Sequence, residues 1–592
     1  MHSKSEPVIY CLVPLQGQAR LRLYGSGRAW IAAWVALAMA VAPCSPGSLI
    51  GAAAAQSSSQ SPPQLPSQPT AQLPTPSTPA NTNTGELRKY GSIPPESPPA
   101  LPVPAASDIQ KYGSTAGPGA TLSPGQKLPD LGDSSQSVMS PAQERKLGEA
   151  IVREIRGGGG YLDDPEVNDY LNELGNRLVN STRDARQDFL FFAVPDPQIN
   201  AFALPGGFIG VNTGLIVLAQ NESQLASVLA HEISHITQHH VTRGMVKQQD
   251  VLMTTLAGLA LAILASKAGG GGNSGTQATA AAIAGTQALA IQQQINFTRE
   301  NEYEADRIGF SRLVAAGFDP NAMAVFFDRL QRNSRFVDGN TPSYLRSHPI
   351  TFERIAEAQA RAQDLPYKQV PDSLEFHLVR ALLRSYQGDP REQVASFDYA
   401  IADRKFNNAV AEQYGLVASL LRAKEIPRAK LELAKLEKIA PPHPMVEAMA
   451  GNVLLAAAEY PAAVARFESA LTRYPNKMQL IHDYPEALIK AGRPADASAF
   501  VERQLVRFPN EGPLHEIAAR AYAAQDKRLK QHEQQGEYYA WLGNLPLAIS
   551  QFELAAKAGD GDFYQLSVVE TRLRALRQEM SEQQRLGWSR AG

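Results

Sequence analysis

Cysteine is almost absent from this chain of 592 residues, which contains only Cys11 and Cys44. Both lie within residues 1–55, so the rest of the chain has no means to form disulfides or Cys-ligated zinc and iron–sulfur sites. An excess of charge is also missing, since 56 Lys and Arg residues face 58 Asp and Glu residues. This balance makes nucleic acid and acidic membrane surfaces unlikely partners. Any metal ion must be held by histidines and carboxylates.

No apolar run near the N-terminus is long enough to span a membrane. Residues 1–55 carry four basic residues against one Glu, then the apolar run Ala29–Ala42 and the small-residue tract Ala52–Ala55, which is the order of a secretory signal peptide. The apolar run is shorter than the roughly 20 residues that a membrane span needs. We therefore predict export to the periplasm of a bacterium, with peripheral association with the outer membrane as an option. A single membrane anchor is the alternative.

Residues 56–140 have little apolar surface to bury, because 16 of the chain's 42 prolines fall there among Ser, Thr, Gln and Ala. Such a composition does not offset the entropy cost of ordering the chain. The sequence predicts a disordered linker between the signal peptide and the folded part.

The composition becomes globular near Pro141. Apolar residues at helical spacing predict helices around 144–155 and 167–178. Residues 189–194 favour a strand, and residues 200–211 are typical of two short strands that meet at a Gly-Gly turn. We expect the second of these strands, residues 208–211, to have an exposed edge that can pair with an extended substrate; an ordinary core strand is the alternative.

The next segment predicts a helix that carries metal-binding residues. Asn221 and Gln224 have the spacing of a capping box, and apolar residues follow at helical spacing. This helix contains His231-Glu232-Ile233-Ser234-His235. Histidines four residues apart lie on one face of a helix, so both can bind one cation while Glu232 stands beside it. The pattern indicates a zinc protease.

A catalytic zinc ion usually has three protein ligands, so a third must come from elsewhere. The metzincin proteases have a glycine and a third histidine three and six residues after the histidine pair. Gln238 and Val241 occupy these positions here, so the chain lacks the metzincin motif. A candidate lies in residues 298–309, where Glu302 and Asp306 share a helix face. His239 and His240 extend the first helix, and we interpret them as solvated or outer-sphere residues.

The chain resembles the HtpX and CAAX-prenyl-protease type of zinc metallopeptidase in three stretches. They are His231–His235, residues 300–309 (ENEYEADRIG), and Ser347-His348-Pro349 with Arg354. The resemblance implies a zincin-like α+β domain with a small β-sheet and one zinc ion per chain. It also implies that Glu302 is the third ligand and Asp306 an outer-sphere partner. Spacing alone leaves two other carboxylates open, which are Glu300 and Glu304.

In this chemistry Glu232 accepts a proton from a zinc-activated water and passes it to the leaving amine. His348 has two readings in similar proteins. As a fourth ligand it keeps the resting enzyme latent, whereas as a donor near the oxyanion, together with Arg354, it promotes turnover. A histidine that merely caps a helix before Pro349 is the structural alternative.

The apolar segment 251–265 is fifteen residues long, which is short for a membrane span. We interpret it as a lid or as a partly membrane-facing helix, with a buried helix as the alternative.

The C-terminal part repeats. Pro441, Pro475 and Pro509 recur at an interval of 34 residues, which is typical of tetratricopeptide repeats. Recurrent turns begin at Gly388, Lys424, Ala458, Gly492 and Gly543, and the interval between the last two is 51 residues, which is 17 more than 34. Such helices stack into an α-solenoid whose concave face binds proteins or extended segments.

The sequence therefore predicts a mainly α protein with a metallopeptidase domain at 141–365, tetratricopeptide-like repeats at 366–575 and a tail at 576–592. We expect an exported zinc metalloendopeptidase. The resemblance further implies misfolded or stalled envelope and outer-membrane proteins as substrates, and repeats that bind these clients or the assembly machinery. A non-proteolytic chaperone or scaffold that acts through the repeats is the alternative.

Overall fold

A computed structural model describes residues 139–182, 187–244, 298–334, 343–366 and 368–585. The predicted signal peptide, the apolar segment 251–265, nearly all of the linker 56–140 and the end of the tail lie outside these described residues. None of the helices in the described ranges is long and apolar enough to cross a membrane.

The N-terminal part consists of helices around a small sheet, and both helices predicted at its start are present. The first begins after Ser140, whose side chain and backbone form a reciprocal capping box with Gln143. The elements of this part are helices Pro141–Gly157 and Pro165–Val179, strands β1 Leu190–Val194, β2 Ala201–Leu204 and β3 Phe208–Asn212, and helices Thr213–Leu218, Glu222–Thr237, 240–244, 298–315, Ala322–Ser334, Ser343–Ser347 and Phe352–Gln363.

The predicted hairpin is confirmed. β2 pairs antiparallel with β3, and the turn between them places Gly206 and Gly207 at φ of 76° and 95°. A Cβ atom on Gly206 would lie 2.4 Å from the Cα atom of Arg145, so both the backbone conformation and the space require glycine there.

The position of β3 in the sheet differs from the expectation. The strand order is β1-β3-β2, and β3 pairs in parallel with β1, with Leu190 opposite Phe208. β3 is therefore the central strand, and the prediction of an exposed edge at residues 208–211 is wrong. The parallel pairing joins segments that are not neighbours in sequence, so the local pattern of residues does not reveal it.

Helix Glu222–Thr237, which we call the motif helix, begins as predicted at Asn221. The Asn221 side chain accepts a hydrogen bond from the Gln224 backbone at 2.9 Å. The Gln224 side chain accepts from the Gln220 backbone at 3.0 Å instead of returning to Asn221, so only half of the capping box forms. The motif helix is buried along almost its whole length.

The C-terminal part is a series of helices of similar length, each packed on the next. Three of them begin at Ile426, Tyr460 and Pro494, which keeps the 34-residue spacing. The excess in the last interval corresponds to one additional helix, Arg528–Trp541, because Gly512–Ala523 begins 34 residues after the start of Met478–Lys490 and so keeps the spacing. The elements are Leu374–Ser385, Pro390–Ala402, Ala409–Arg422, Ile426–Ile439, Pro444–Ala456, Tyr460–Arg473, Met478–Lys490, Pro494–Arg507, Gly512–Ala523, Arg528–Trp541, Leu545–Ala556 and Phe563–Arg585.

The two parts share one apolar core. A single cluster of buried side chains runs from Val167 to Val453, and it includes Phe376 and Tyr414 of the first repeats. A polar contact adds to this core, because buried Glu222 at the start of the motif helix accepts a hydrogen bond of 2.6 Å from the Ser373 hydroxyl. The first repeat helix thus holds the start of the motif helix in place.

The distal repeats return to helix Pro141–Gly157, the first helix among the described residues. The Arg156 guanidinium lies 4.3 Å from the centre of the Trp541 ring, and Tyr161 meets the same ring edge-on. Arg153 forms an ion pair with Glu579 of the last helix. Helix Pro141–Gly157 is therefore attached to the far end of the repeats as well as to the sheet.

Candidate metal centre

Four side chains with metal-binding atoms converge at one point in the N-terminal part. His231 and His235 come from the motif helix, Glu302 from helix 298–315, and His348 from the residue after helix Ser343–Ser347. All four are buried, and one ligand atom from each lies within 4.8 Å of the others. The sequence-predicted residues of the centre are thus brought together from three separate elements.

Several of the separations between these atoms are close to those of a tetrahedral zinc site. His231 Nε2 lies 2.9 Å from His235 Nε2, 3.4 Å from Glu302 Oε2 and 3.4 Å from His348 Nδ1. Glu302 Oε1 lies 3.5 Å from His235 Nε2 and 3.0 Å from His348 Nδ1. Zinc–nitrogen bonds of about 2.05 Å in a tetrahedron place the ligand atoms roughly 3.3 Å apart. The chemistry and spacing of the donor set therefore fit zinc.

A glycine lets the two main helices of the site approach closely. Gly309 of helix 298–315 faces the motif helix, and a Cβ atom there would lie 3.1 Å from the Ala230 carbonyl and the His231 Cα atom. Asp306 and Glu302, which lie one and two turns before this contact, point at the motif helix from the same face. The close approach explains how a short carboxylate reaches the histidine pair.

Asp306 and Arg354 support His231 from behind. Asp306 Oδ1 lies 2.8 Å from His231 Nδ1, and both carboxylate oxygens accept from Arg354, at 2.6 and 2.8 Å. Arg354 also contacts Glu302 Oε2 and the Pro349 carbonyl, each at 2.8 Å. The Arg354 guanidinium is thus bound to two carboxylates, and its assistance to an oxyanion, which was one of the two readings of the sequence, stays a prediction.

Glu232 is the carboxylate that remains available for proton transfer. Both of its oxygens are buried, and neither has a hydrogen-bond partner among the described residues. The nearest cationic candidate, His348 Nε2, is 3.6 Å from Glu232 Oε1. Burial raises the pKa of Glu232, against the opposing influence of His348 and His231. A raised pKa suits a group that accepts and then returns a proton near neutral pH.

The charges around the cluster act on its ligands in different directions. Burial opposes protonation of His231, but the bonds to Asp306 and Glu302 outweigh it and raise its pKa to about 10. Burial and the neighbouring His231 instead hold the pKa of His235 well below its usual value. Burial also opposes ionisation of Glu302, yet His348 and Arg354 keep its pKa well below the usual range. The pocket therefore favours an ionised Glu302 and a neutral His235, the forms that bind metal.

The other carboxylates that spacing had left open lie away from the cluster. Glu300 is exposed. Glu304 contacts Arg243 at 2.9 Å and His240 at 3.1 Å. Neither is among the four residues whose ligand atoms converge.

The motif helix also ends earlier than expected. It stops at Thr237, and His239 adopts a φ of 52°, so the prediction that His239 and His240 extend this helix is wrong. His240 is buried and lies against His235, with their Nδ1 atoms 2.9 Å apart. No pattern in the sequence indicated this contact, because a left-handed residue in a short turn leaves no periodic signal.

Comparison with known proteins gives matches to proteases. The model of peptidase family M48 matches residues 165–362. The beta-barrel assembly-enhancing protease of Escherichia coli K12 is 33% identical over 453 residues, covering 76% of this chain and 91% of that protein. A putative beta-barrel assembly-enhancing protease of Vibrio cholerae is 39% identical over 323 residues, covering 53% of this chain and 64% of the relative. Metalloprotease LoiP of Escherichia coli K12 is 25% identical over 226 residues, covering 38% and 82%.

Proposed function

Because this chain belongs to peptidase family M48 and is a metalloendopeptidase, we propose that His231, His235 and Glu302 hold one catalytic zinc ion. The family and the enzyme class predicted from the sequence motifs are confirmed. The zinc assignment is supported by two separations close to those of a tetrahedral site, because His231 Nε2 lies 2.9 Å from His235 Nε2 and 3.4 Å from Glu302 Oε2. Two imidazoles and a carboxylate are also a ligand set that catalytic zinc uses in peptidases.

In the proposed mechanism a bound zinc ion supplies Lewis acidity toward the scissile carbonyl and toward the attacking water. Glu232 takes the proton of that water through one of its unpartnered oxygens. The water oxygen bonds to the carbonyl carbon, the C–N bond breaks, and Glu232 passes the proton to the departing amine nitrogen. Asp306 accepts the Nδ1 proton of His231 and so keeps Nε2 turned toward the site. Arg354 fixes the two oxygens of Asp306.

The variant Glu232→Gln tests this mechanism, since glutamine keeps the size of the side chain but does not accept the proton. We expect casein hydrolysis to fall by about 10²- to 10⁴-fold. Zinc content, measured by atomic absorption, should remain at one ion per chain. A Glu232→Gln protein that digests casein at the wild-type rate would contradict the proposal and favour a chaperone or scaffold that acts through the repeats.

We further propose that His348 is a fourth ligand that keeps the resting enzyme latent. Its Nδ1 lies 3.0 Å from Glu302 Oε1 and 3.4 Å from His231 Nε2, which are separations of the same size as those within the other three donors. A group at this position competes with water for the open coordination site. The variant His348→Ala should therefore raise the rate of casein hydrolysis. A fall in that rate would instead support a donor to the oxyanion.

For location and clients, we propose that the protein works in the periplasm on misfolded or stalled outer-membrane β-barrel proteins. Support comes from the signal-peptide pattern of residues 1–55 and from relatives named for enhancing β-barrel assembly. The repeats would bind these clients or the assembly machinery. Fractionation of bacteria that express the chain with and without residues 1–55 tests the location, and it contradicts the proposal if both forms stay in the cytoplasm. Digestion of an unfolded barrel protein, compared with an unfolded cytoplasmic protein of equal length, tests the preference for clients.

A further inference from the structure

We propose that His240, fixed by Glu304 and Arg243, is a positioning residue that orients the imidazole of His235 toward the metal. The inference rests on the proposed zinc site and adds an outer support for its second histidine. None of the three residues is among the ligands or the acid–base groups assigned above.

The three residues form a chain of hydrogen bonds that starts at His235. His235 directs Nε2 into the metal centre, and its Nδ1 lies 2.9 Å from His240 Nδ1. His240 Nε2 lies 3.1 Å from Glu304 Oε2. The same oxygen accepts a bond of 2.9 Å from Arg243 Nη1.

Ligation through Nε2 determines where every proton of this chain resides. A neutral His235 that binds metal through Nε2 carries its proton on Nδ1 and donates it. His240 must then accept at Nδ1, so its own proton resides on Nε2 and is donated to Glu304. Glu304 is left as an ionised acceptor between His240 and Arg243. One tautomer of each imidazole satisfies all of the contacts.

The two ligand histidines are therefore supported by parallel arrangements of different strength. His231 Nδ1 faces Asp306 Oδ1 directly at 2.8 Å, whereas His235 reaches a carboxylate only through the ring of His240. Both chains end at a carboxylate that is bound to an arginine, and the two carboxylates lie two residues apart on helix 298–315. The direct charged acceptor makes His231 the stronger donor to a metal, and the relayed one makes His235 the weaker.

The backbone is shaped to deliver His240 to this position. If the motif helix continued, residue 240 would lie about 140° around the axis from His235 and roughly 7.5 Å along it. Instead the helix stops at Thr237, and His239 takes the left-handed conformation with a φ of 52°. The helix after the turn is held by Glu144, which accepts a hydrogen bond from Thr242. The change of direction at His239 brings the ring of His240 against His235.

Two isosteric variants separate the two ring nitrogens of His240. In His240→Asn the side-chain oxygen takes the place of Nδ1 and still accepts from His235. In His240→Gln the terminal amide takes the place of Nε2, which keeps the contact to Glu304 but leaves His235 Nδ1 without its acceptor. Loss of such an outer-sphere partner typically weakens metal binding by about 10- to 100-fold.

The experiment measures the zinc affinity of metal-free full-length protein by competition with a chromophoric chelator, together with the visible absorption of the cobalt-substituted form. We expect His240→Gln to bind zinc about tenfold more weakly or worse and to show a changed cobalt spectrum. His240→Asn should bind within about threefold of wild type. Equal affinities for the two variants, whether both normal or both reduced, would overturn the inference, because a purely structural role does not distinguish the nitrogens.

A third variant, Glu304→Leu, covers the case in which His240→Gln does not fold, as judged by circular dichroism. Glu304→Leu changes a partly exposed residue, leaves His240 in place and removes the acceptor that sets its tautomer. We expect about fivefold weaker zinc binding or worse, and unchanged affinity would overturn the inference. If wild-type protein itself binds no zinc, the proposed metal site fails. If it binds zinc normally and the variants match it, only the role of His240 fails.

Discussion

Replacing Asp306 with asparagine should weaken both the fold and the metal site, by separable amounts. The carboxylate accepts two bonds from Arg354, at 2.6 and 2.8 Å, and its Oδ1 lies 2.8 Å from His231 Nδ1. Arg354 is only 2% exposed, so the substitution leaves its charge buried with Glu302 as the one remaining carboxylate. Removing one partner of a buried ion pair costs about 3–5 kcal/mol. We expect the free energy of unfolding of the metal-free protein to fall by a similar amount.

Zinc binding should weaken for a different reason. The asparagine oxygen still accepts the His231 Nδ1 proton but carries no charge, and its amide group cannot replace both bonds to Arg354. Loss of an outer-sphere carboxylate typically reduces metal affinity by about 10- to 100-fold. Urea titrations followed by circular dichroism measure the stability, and competition with a chelator measures the affinity.

The double variant Asp306→Asn with Arg354→Leu tests how much of the loss comes from the charge of Arg354. It removes that charge, but it also leaves buried Glu302 without the guanidinium at 2.8 Å, so we expect only part of the lost stability to return. It does not restore a charged acceptor for His231, so zinc affinity should stay low. Asp364→Asn, at an exposed helix end, is the matched control and should change neither quantity. Wild-type zinc affinity in Asp306→Asn, or recovery of that affinity in the double variant, would refute the reasoning.

Three further predictions follow from described contacts. Gly309→Val places side-chain atoms against the backbone of Ala230, so we expect the free energy of unfolding, measured by thermal denaturation, to fall by about 1–3 kcal/mol. Zinc binding should also weaken, and unchanged zinc affinity would contradict the close helix contact. With the pKa of His231 at about 10, zinc binding must displace its proton, so affinity should rise about tenfold per pH unit between roughly pH 7 and 10 and then level off. Without zinc, the stabilisation from protonated His231 is complete below its unfolded pKa near 6.5 and is lost as the pH rises through about 10. Calorimetry of zinc binding in two buffers measures the proton that His231 releases to the buffer. Trp541→Ala removes the ring that Arg156 covers, so we expect faster hydrogen exchange in helix Pro141–Gly157 by mass spectrometry, and unchanged exchange would show that the distal repeats do not hold this helix.

Much of the local structure could be predicted because it depends on neighbouring residues. Apolar residues at a spacing of three and four mark the motif helix, and Gly206-Gly207 marks the hairpin between β2 and β3. The histidine pair and Glu232 follow from the same periodicity, because positions four apart must share a helix face. The choice of Glu302 came from the family resemblance, since spacing alone left Glu300 and Glu304 open.

The remaining features depend on contacts between distant segments. The central place of β3 arises from its parallel pairing with β1, which no local pattern encodes. The turn at His239 contains a left-handed residue, and the helix after it is held by Glu144, almost a hundred positions earlier, so the contact between His240 and His235 could not be foreseen. The ion pairs of Arg354 with Glu302 and Asp306 join segments about 50 residues apart, and no local pattern in the sequence indicates them.

The apolar core that runs without interruption from Val167 to Val453 restricts how proteins with this architecture can evolve. A duplication or deletion of the first repeat would remove or misplace Phe376 and Ser373, and with them a support of the motif helix. The later helices contribute to smaller, separate clusters. Repeat number can therefore change with little harm only toward the C-terminal end, so lineages should differ in length there while the junction after residue 365 keeps its spacing.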